Sequence, residues 1–365
     1  MLPQAGKSRS ASLLLSAGLV AALAAAGFPW SRGTAAQAAF SVWALFVGAV
    51  GFLLMRTGRT GRWRSLFFSA LAILSLAGFK GLFPSRGPIS EVSFCPIAAA
   101  STFLNHLHQI VLALTSGAWR EWLPLSAGLF WLLGTLSLGR AWCSWGCFYG
   151  GLDDGLSRVL RRPLLKEFRL PPFLRDLPAA VLIASMVLSL AALVPIFCLW
   201  VCPFKLTTEF LGRGPERVAR EILFVSVGIV TLIALPLLAK KRTFCGLICP
   251  FGAWQSLVGG LHPFRVTISP DRCTACGLCV DACPTMVLSE TSLAIRQIPA
   301  YCNVCGECVD ACSVGASSFT LWGRPLPAGS GLLGELLDVR VLVLFTGLLV
   351  GGSLGGAMAA RIFSG

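Results

Sequence analysis

The sequence is poor in charged residues and in histidine, and both shortages exclude classes of protein. Only 13% of the 365 residues are charged and 55% are hydrophobic, whereas a soluble domain carries about 25% charged residues. Three histidines leave no pair for a haem held between two membrane helices. His106 and His108 point to different sides of one helix, and His262 stands apart. We expect an integral membrane protein without haem.

Nucleotide-binding motifs are missing as well. The chain contains neither a G-x-G-x-x-G dinucleotide loop nor a Walker loop. The net charge of +14 does not indicate nucleic-acid binding, because Lys and Arg occupy short loops between apolar runs rather than one basic domain. Loop charges of this kind orient membrane helices. The expected partner on this evidence is therefore a membrane, with no nucleic acid.

Apolar runs close to the roughly 20 residues needed to cross a bilayer recur along the chain. They predict seven spans, at 12–29, 38–55, 65–83, 123–139, 178–197, 222–239 and 338–358. A signal peptide is the alternative for the first run, but a retained helix is preferred because further spans follow. Up to residue 242, one set of loops carries 16 Lys or Arg and the opposite set carries 8. The more basic set is predicted to be cytoplasmic, in a bacterial inner membrane.

An internal repeat organises the membrane part. Residues 95–104 align without a gap on 202–211, and the segment 140–147 aligns on 242–249. The stretch 97–116 is apolar enough to span, but its copy at 204–220 holds six charged residues. Each charge at the bilayer centre costs roughly 2.5–3.5 kcal/mol. Both copies are predicted to lie at the outer surface, with the repeats related by an axis along the membrane normal.

Two matching cysteine runs follow the membrane part. The spacing Cys-x2-Cys-x2-Cys-x3-Cys occurs at 273–283 and again at 302–312, and it is the bacterial ferredoxin run. Three thiolates of a run wrap one cluster, while the fourth cysteine, expected to start a short helix, reaches the other cluster. Zinc sites use two separated cysteine pairs and fit poorly. Two [4Fe–4S] clusters are predicted, on the first ferredoxin set (Cys273, Cys276, Cys279, Cys312) and the second ferredoxin set (Cys302, Cys305, Cys308, Cys283).

The predicted topology sorts the other seven cysteines by membrane face. The inner set, at the cytoplasmic ends of two spans, has four thiols, enough for a third [4Fe–4S] cluster: Cys143, Cys147, Cys245 and Cys249. The outer set predicts a further metal site: Cys95, Cys198 and Cys202. The alternatives for both sets are packed reduced thiols or, outside, a Cys198–Cys202 disulfide. The two sets are expected to lie a bilayer core apart, about 30 Å.

The outer set lacks a fourth cysteine. The repeat aligns Glu91 with Cys198, so its carboxylate is the first candidate for a fourth ligand. His106 and His108 are the other candidates. The preferred interpretation of both histidines is that they are polar residues at a helix interface, and a quinone site is the alternative.

On these motifs the chain resembles the NapH/NosR/CcoG-type membrane polyferredoxins over residues 65–320, and it is nearest in plan to NapH. The match is carried by Phe244-Cys245-Gly-Leu-Ile-Cys249-Pro250 and by the segment 140–147. The residue after this segment is Phe148, where the family has proline. The resemblance implies a subunit that passes electrons between the quinone pool or a cytoplasmic donor and a respiratory reductase, which holds the bond-making chemistry. A CcoG-like maturation factor that reduces a metal or thiol, and a redox sensor, are the rival interpretations.

The predicted architecture is an all-α membrane helical bundle with an inserted α+β two-cluster ferredoxin domain. Residues 1–64 form two helices, 65–260 a four-helix core with the repeats, 261–325 the cytoplasmic ferredoxin domain, and 326–365 the last helix. The last span contains Gly351, Gly352, Gly355 and Gly356, which are expected to form a small-residue face for close helix packing.

Overall fold

The computed structural model describes residues 7–27, 31, 33–78, 95–116, 133–165, 171–202, 222, 225–258, 262–325 and 331–363. Helices predominate among them. Their bounds are α1 (Arg9–Gly27), α2 (Thr34–Thr57), α3 (Thr60–Gly78), α4 (Pro96–Ser101), α5 (Phe103–Thr115), α6 (Trp142–Trp145), α7 (Phe148–Leu156), α8 (Leu177–Ala192), α9 (Ile196–Trp200), α10 (Leu235–Ala239), α11 (Thr243–Leu247), α12 (Pro250–Leu257), α13 (Leu278–Ala282), α14 (Glu290–Ala294), α15 (Glu307–Ala311), α16 (Gly331–Leu336) and α17 (Val339–Phe363). Glu91 and the segment 204–220 lie outside the described residues.

Among the residues that the structure describes, four helices are long and apolar enough to cross a membrane. They are α1, α2, the segment Leu174–Ala192 that contains α8, and α17, and they coincide with four of the seven predicted spans. Helix α3 is as long as α1, but Arg62 and Arg64 lower its hydropathy, and the apolar helix Val225–Ala239 is shorter. Much of the predicted span 123–139 lies outside the described residues. The count of seven spans therefore stays a prediction.

The predicted small-residue face of α17 is confirmed, and large aromatic side chains cover it. The Trp43 indole donates a hydrogen bond to the Gly352 carbonyl oxygen at 2.7 Å. A side chain at Gly355 would overlap the Trp43 ring, and one at Gly356 would overlap Phe40. Helices α2 and α17 can approach closely because glycine offers no side chain at these positions.

The ferredoxin module is built between two antiparallel strands. Strand β1 (Phe264–Ile268) precedes both cysteine runs and pairs with β2 (Ser317–Leu321), which follows them. The pairing closes the intervening chain on itself, so that the two runs lie side by side. Helices α13 and α15, one in each run, contact one another. The described residues from 262 to 325 thus have the predicted α+β composition.

Charged residues dock the ferredoxin module on the helical part. Glu307 of α15 accepts hydrogen bonds from Arg64 and Arg158. The Lys241 ammonium donates to the Cys283 carbonyl oxygen at 2.9 Å, and the Arg242 amide donates to the Pro284 carbonyl oxygen at 2.7 Å. These donors come from loops that the charge count placed on the same membrane face as the module.

Candidate iron–sulfur centres

The structure brings the two ferredoxin sets to two separate pockets. One pocket is lined by Cys273, Cys276, Cys279 and Cys312, and the other by Cys283, Cys302, Cys305 and Cys308. Each pocket therefore takes three cysteines from one run and the fourth from the other run. This exchange is the arrangement that the bacterial ferredoxin spacing predicts.

Local backbone geometry explains how each run reaches its pocket. Gly277 and Gly306 have φ of 80° and 84° and precede α13 and α15, a left-handed conformation that glycine adopts without steric cost. The expectation that the fourth cysteine starts a helix is wrong. Cys283 and Cys312 follow the last residues of α13 and α15 in extended backbone, because the helix ends where the chain must cross to the other pocket.

The chemistry of the second ferredoxin set fits a bound metal cluster. Burial, together with neighbouring thiols, raises the pKa of Cys302 to about 11 and that of Cys305 to about 12. Without metal these thiols would remain protonated near neutral pH. Metal binding displaces such protons and converts crowded thiols into thiolate ligands.

The inner set converges on one cavity of about 330 Å³. Cys143 lies in α6 and Cys245 in α11, while Cys147 and Cys249 are the residues immediately before α7 and α12. The two halves of the repeat thus contribute matching pairs. The Cys147 sulfur accepts hydrogen bonds from the amides of Tyr149 and Gly150 at the start of α7. Cys249 accepts the equivalent pair at the start of α12, and free amides at a helix N-terminus stabilise negative charge on sulfur.

The cysteine sets have the ligand type and number of a [4Fe–4S] cluster, which is bound by four cysteine thiolates. Zinc needs its thiolates about 2.3 Å from one point, whereas each cysteine of a [4Fe–4S] cluster binds a different iron atom. Four cysteines spaced around a pocket therefore fit the cluster.

The outer set gathers around the hydroxyl group of Tyr149. This oxygen lies 2.9 Å from the Cys202 sulfur, and Tyr149 also interacts electrostatically with Cys95 and Cys198. Cys95 and Cys202 are buried. The first sequence-based candidate for a fourth ligand, Glu91, lies outside the described residues.

Neither His106 nor His108 lines the cavity of the inner set or either ferredoxin pocket. His106 pairs through its ring Nδ1 with the Thr102 carbonyl oxygen at 3.0 Å, one turn earlier in the same helical region. His108 is exposed. Their role in a quinone site stays a prediction.

The expected 30 Å separation between the inner and outer sets is wrong. Tyr149 contacts Cys202 of the outer set and lies two residues after Cys147 of the inner set. The Trp145 carbonyl oxygen, between Cys143 and Cys147 in the chain, packs against Gly351 of α17, so the first inner pair lies beside the long C-terminal helix.

A buried charge network beside the cysteines was missed by sequence reasoning. Arg64 and Asp154 are fully buried and paired at 2.9 Å, and the Arg242 Nε lies 3.9 Å from the same carboxylate. The Arg242 guanidinium donates to the Cys143 carbonyl oxygen at 2.6 Å. Although burial opposes ionisation, the arginines hold the pKa of Asp154 below its ordinary value. Acidic residues in an otherwise apolar stretch were the available signal.

Comparison with known proteins identifies the class of these centres. A family described as "4Fe-4S binding domain" matches residues 266–289, around the first ferredoxin run. A second family with the same description matches 121–167, 177–220 and 221–269, and each of these segments contains one Cys-x3-Cys pair. The described centres therefore belong to segments of the chain that match [4Fe–4S] binding domains.

Three relatives illustrate the similarity. The chain is 26% identical over 45% of its length to the putative electron transport protein YccM of Escherichia coli K12. It is 30% identical over 43% to the methylamine utilization ferredoxin-type protein MauN of Methylobacillus flagellatus, and 31% identical over 42% to an uncharacterized protein of Methanocaldococcus jannaschii. The matches cover 46%, 51% and 62% of those proteins, so the chain spans about half the length of these relatives. No solved structure matches.

Proposed function

We propose that the chain passes electrons across a membrane surface, between the quinone pool or a cytoplasmic donor and a respiratory reductase. When bound, [4Fe–4S] clusters exchange single electrons, and the protein sets their spacing and potential. One observation carries the proposal: Thr285, Val287 and Asn303 line both the second ferredoxin pocket and the cavity of the inner set. Only one layer of residues therefore separates the two cysteine sets.

The proposed ligands follow the sequence assignment. The two ferredoxin sets each hold one [4Fe–4S] cluster, and the inner set holds a third. The outer set holds a further metal centre with Glu91 as the fourth ligand. The second ferredoxin set, the inner set and the outer set are consecutive neighbours. The second ferredoxin pocket adjoins the inner cavity, and Tyr149, two residues after Cys147 of the inner set, contacts Cys202 of the outer set.

The docking contacts support a cytoplasmic ferredoxin module. The module binds Arg64, Arg158 and Lys241, and these residues belong to the loops with the larger positive charge, which face the cytoplasm under the positive-inside rule.

A bilayer-impermeant thiol reagent tests the orientation in intact cells. It should label Thr207→Cys, in the predicted outer segment, above the background of the unaltered chain. It should spare Ala294→Cys, on the exposed side of α14, and the reverse pattern would invert the topology.

The names of two relatives, an electron transport protein and a ferredoxin-type protein, support electron transfer over maturation or sensing.

Iron and sulfide quantified in the purified chain test the cluster proposal directly. The proposal expects about four irons for each cluster and therefore about twelve or more in total. About eight irons would limit the clusters to the ferredoxin module. In that case the inner and outer sets would be packed thiols, and the proposed route would end at the second ferredoxin set.

A further inference from the structure

The position of Tyr149 is fixed by its aromatic neighbours. Tyr149 is 1% exposed, and its ring stacks on Phe244 with centroids 5.4 Å apart and contacts Phe148 at 4.3 Å. The orientation of the ring therefore depends on packing and needs no bond from the hydroxyl. The hydroxyl lies where this packing directs it.

The hydroxyl is directed at the outer set of cysteines. Its oxygen lies 2.9 Å from the Cys202 sulfur, and Cys95 and Cys198 are within electrostatic range. Burying a hydroxyl without a hydrogen-bond partner is unfavourable, and tyrosines in protein interiors usually find one. A metal-bound thiolate can only accept a hydrogen bond, so beside such a ligand the phenol must be the donor.

The same residue joins the outer set to the inner set. Tyr149 and Gly150 donate their amides to the sulfur of Cys147, and the Tyr149 hydroxyl contacts Cys202. Cys95 also interacts electrostatically with Cys147. One residue therefore contacts a cysteine of each set, through its backbone on one side and its side chain on the other.

We propose that Tyr149 is a positioning residue for a metal centre on Cys95, Cys198 and Cys202, donating a hydrogen bond to the Cys202 sulfur, and that it links this centre to the inner four-cysteine site. The inference rests on the proposed function, because it requires the outer set to bind metal. A hydrogen bond to a ligand sulfur stabilises the more negative, reduced state and makes the reduction potential more positive.

The variant Tyr149→Phe tests the inference in the full-length chain, because it keeps the packed ring and removes only the hydroxyl. The iron and sulfide content should equal that of the unaltered chain. In an EPR redox titration, the signal that Cys202→Ser abolishes should shift to a more negative potential. We expect about a tenfold lower ratio of reduced to oxidised centre at a fixed potential, which is about 59 mV for one electron. All other signals should stay in place.

The other tyrosine of the chain supplies the control. Tyr301 lines the inner cavity, so Tyr301→Phe removes an equivalent hydroxyl and should leave the outer signal unshifted. If Cys202→Ser changes neither the iron content nor any signal, the outer metal centre does not exist and this part of the proposed function fails. If Cys202→Ser removes a signal that Tyr149→Phe leaves in place, the centre exists and the role of Tyr149 is refuted.

Discussion

The first and second ferredoxin sets have the same spacing of cysteines but different surroundings. In the first set Cys276 is exposed and the other three cysteines are partly exposed. In the second set Cys283, Cys305 and Cys308 are buried. Docking contributes to the difference, because α15 lies against α3 of the helical part and Glu307 of α15 pairs with Arg64. Sequence spacing predicts which cysteines share a pocket, and the docked surface affects which pocket meets solvent.

This asymmetry suggests a direction along the module. Under the proposed function, the exposed first set would be the contact point for a soluble redox partner. The second set, one residue layer from the inner cavity, would pass electrons to the inner set. Burial also favours the less charged redox state of a cluster. Two copies of one motif can thereby serve as a contact point for a partner and as an internal relay.

Ligand substitutions give the largest expected difference between the two sets. Cys276→Ser should remove or convert one [4Fe–4S] signal in low-temperature EPR and leave the second-set signal intact. Cys305→Ser should remove the other signal and also prevent a soluble reductant from reducing the inner set, since the relay beside it is lost. Persistence of both signals at full intensity in Cys276→Ser would refute the ligand assignment.

Removal of the buried arginine should make the second set resemble the first. Arg64→Met leaves the buried Asp154 without its 2.9 Å partner, and breaking a buried ion pair costs about 3–5 kcal/mol. We expect a lower melting temperature of the purified chain and faster loss of iron from the second set to a hydrophilic chelator.

Arg158→Met is the matched control for this experiment. Arg158 binds the same two carboxylates, Asp154 and Glu307, but its side chain is 38% exposed. Exposed ion pairs contribute at most about 1 kcal/mol, so this variant should remain close to the unaltered chain. Equal destabilisation by the two variants would show that burial of Arg64 has no special part in docking.

Sequence reasoning predicted the grouping of the ferredoxin cysteines in two pockets because the cysteines of each run are close in the chain. Cysteines two residues apart in one loop have few alternatives to a shared centre, and Gly277 and Gly306 mark the turns that the loops require. The four membrane-length helices in the described residues could also be predicted from the sequence, since an apolar run of about 20 residues is a local property.

The proximity of the inner and outer sets was not accessible in this way. Hydropathy shows where an apolar run ends, but it does not show which residues meet across the bundle, such as Trp145 and Gly351. The contact between Tyr149 and Cys202 and the pairing of Arg64 with Asp154 join residues 53 and 90 positions apart. Such pairs depend on the packing of helices, which periodicity along one sequence does not encode.

A single lysine gives the smallest expected difference between the two ferredoxin sets and sharpens the comparison. The Lys241 ammonium donates to the carbonyl oxygens of Asp281 and Cys283 at 2.6 and 2.9 Å, which places a positive charge beside the second set. Lys241→Met should move the second-set potential in the negative direction by less than the ~59 mV of a tenfold change.

The neighbouring Lys240 donates instead to the Arg161 carbonyl oxygen, so Lys240→Met should shift neither set. The charge of Lys241 lies at the second pocket. An equal shift of both potentials in Lys241→Met would therefore mean that the two pockets share one electrostatic environment. The two sets would then differ in solvent access alone.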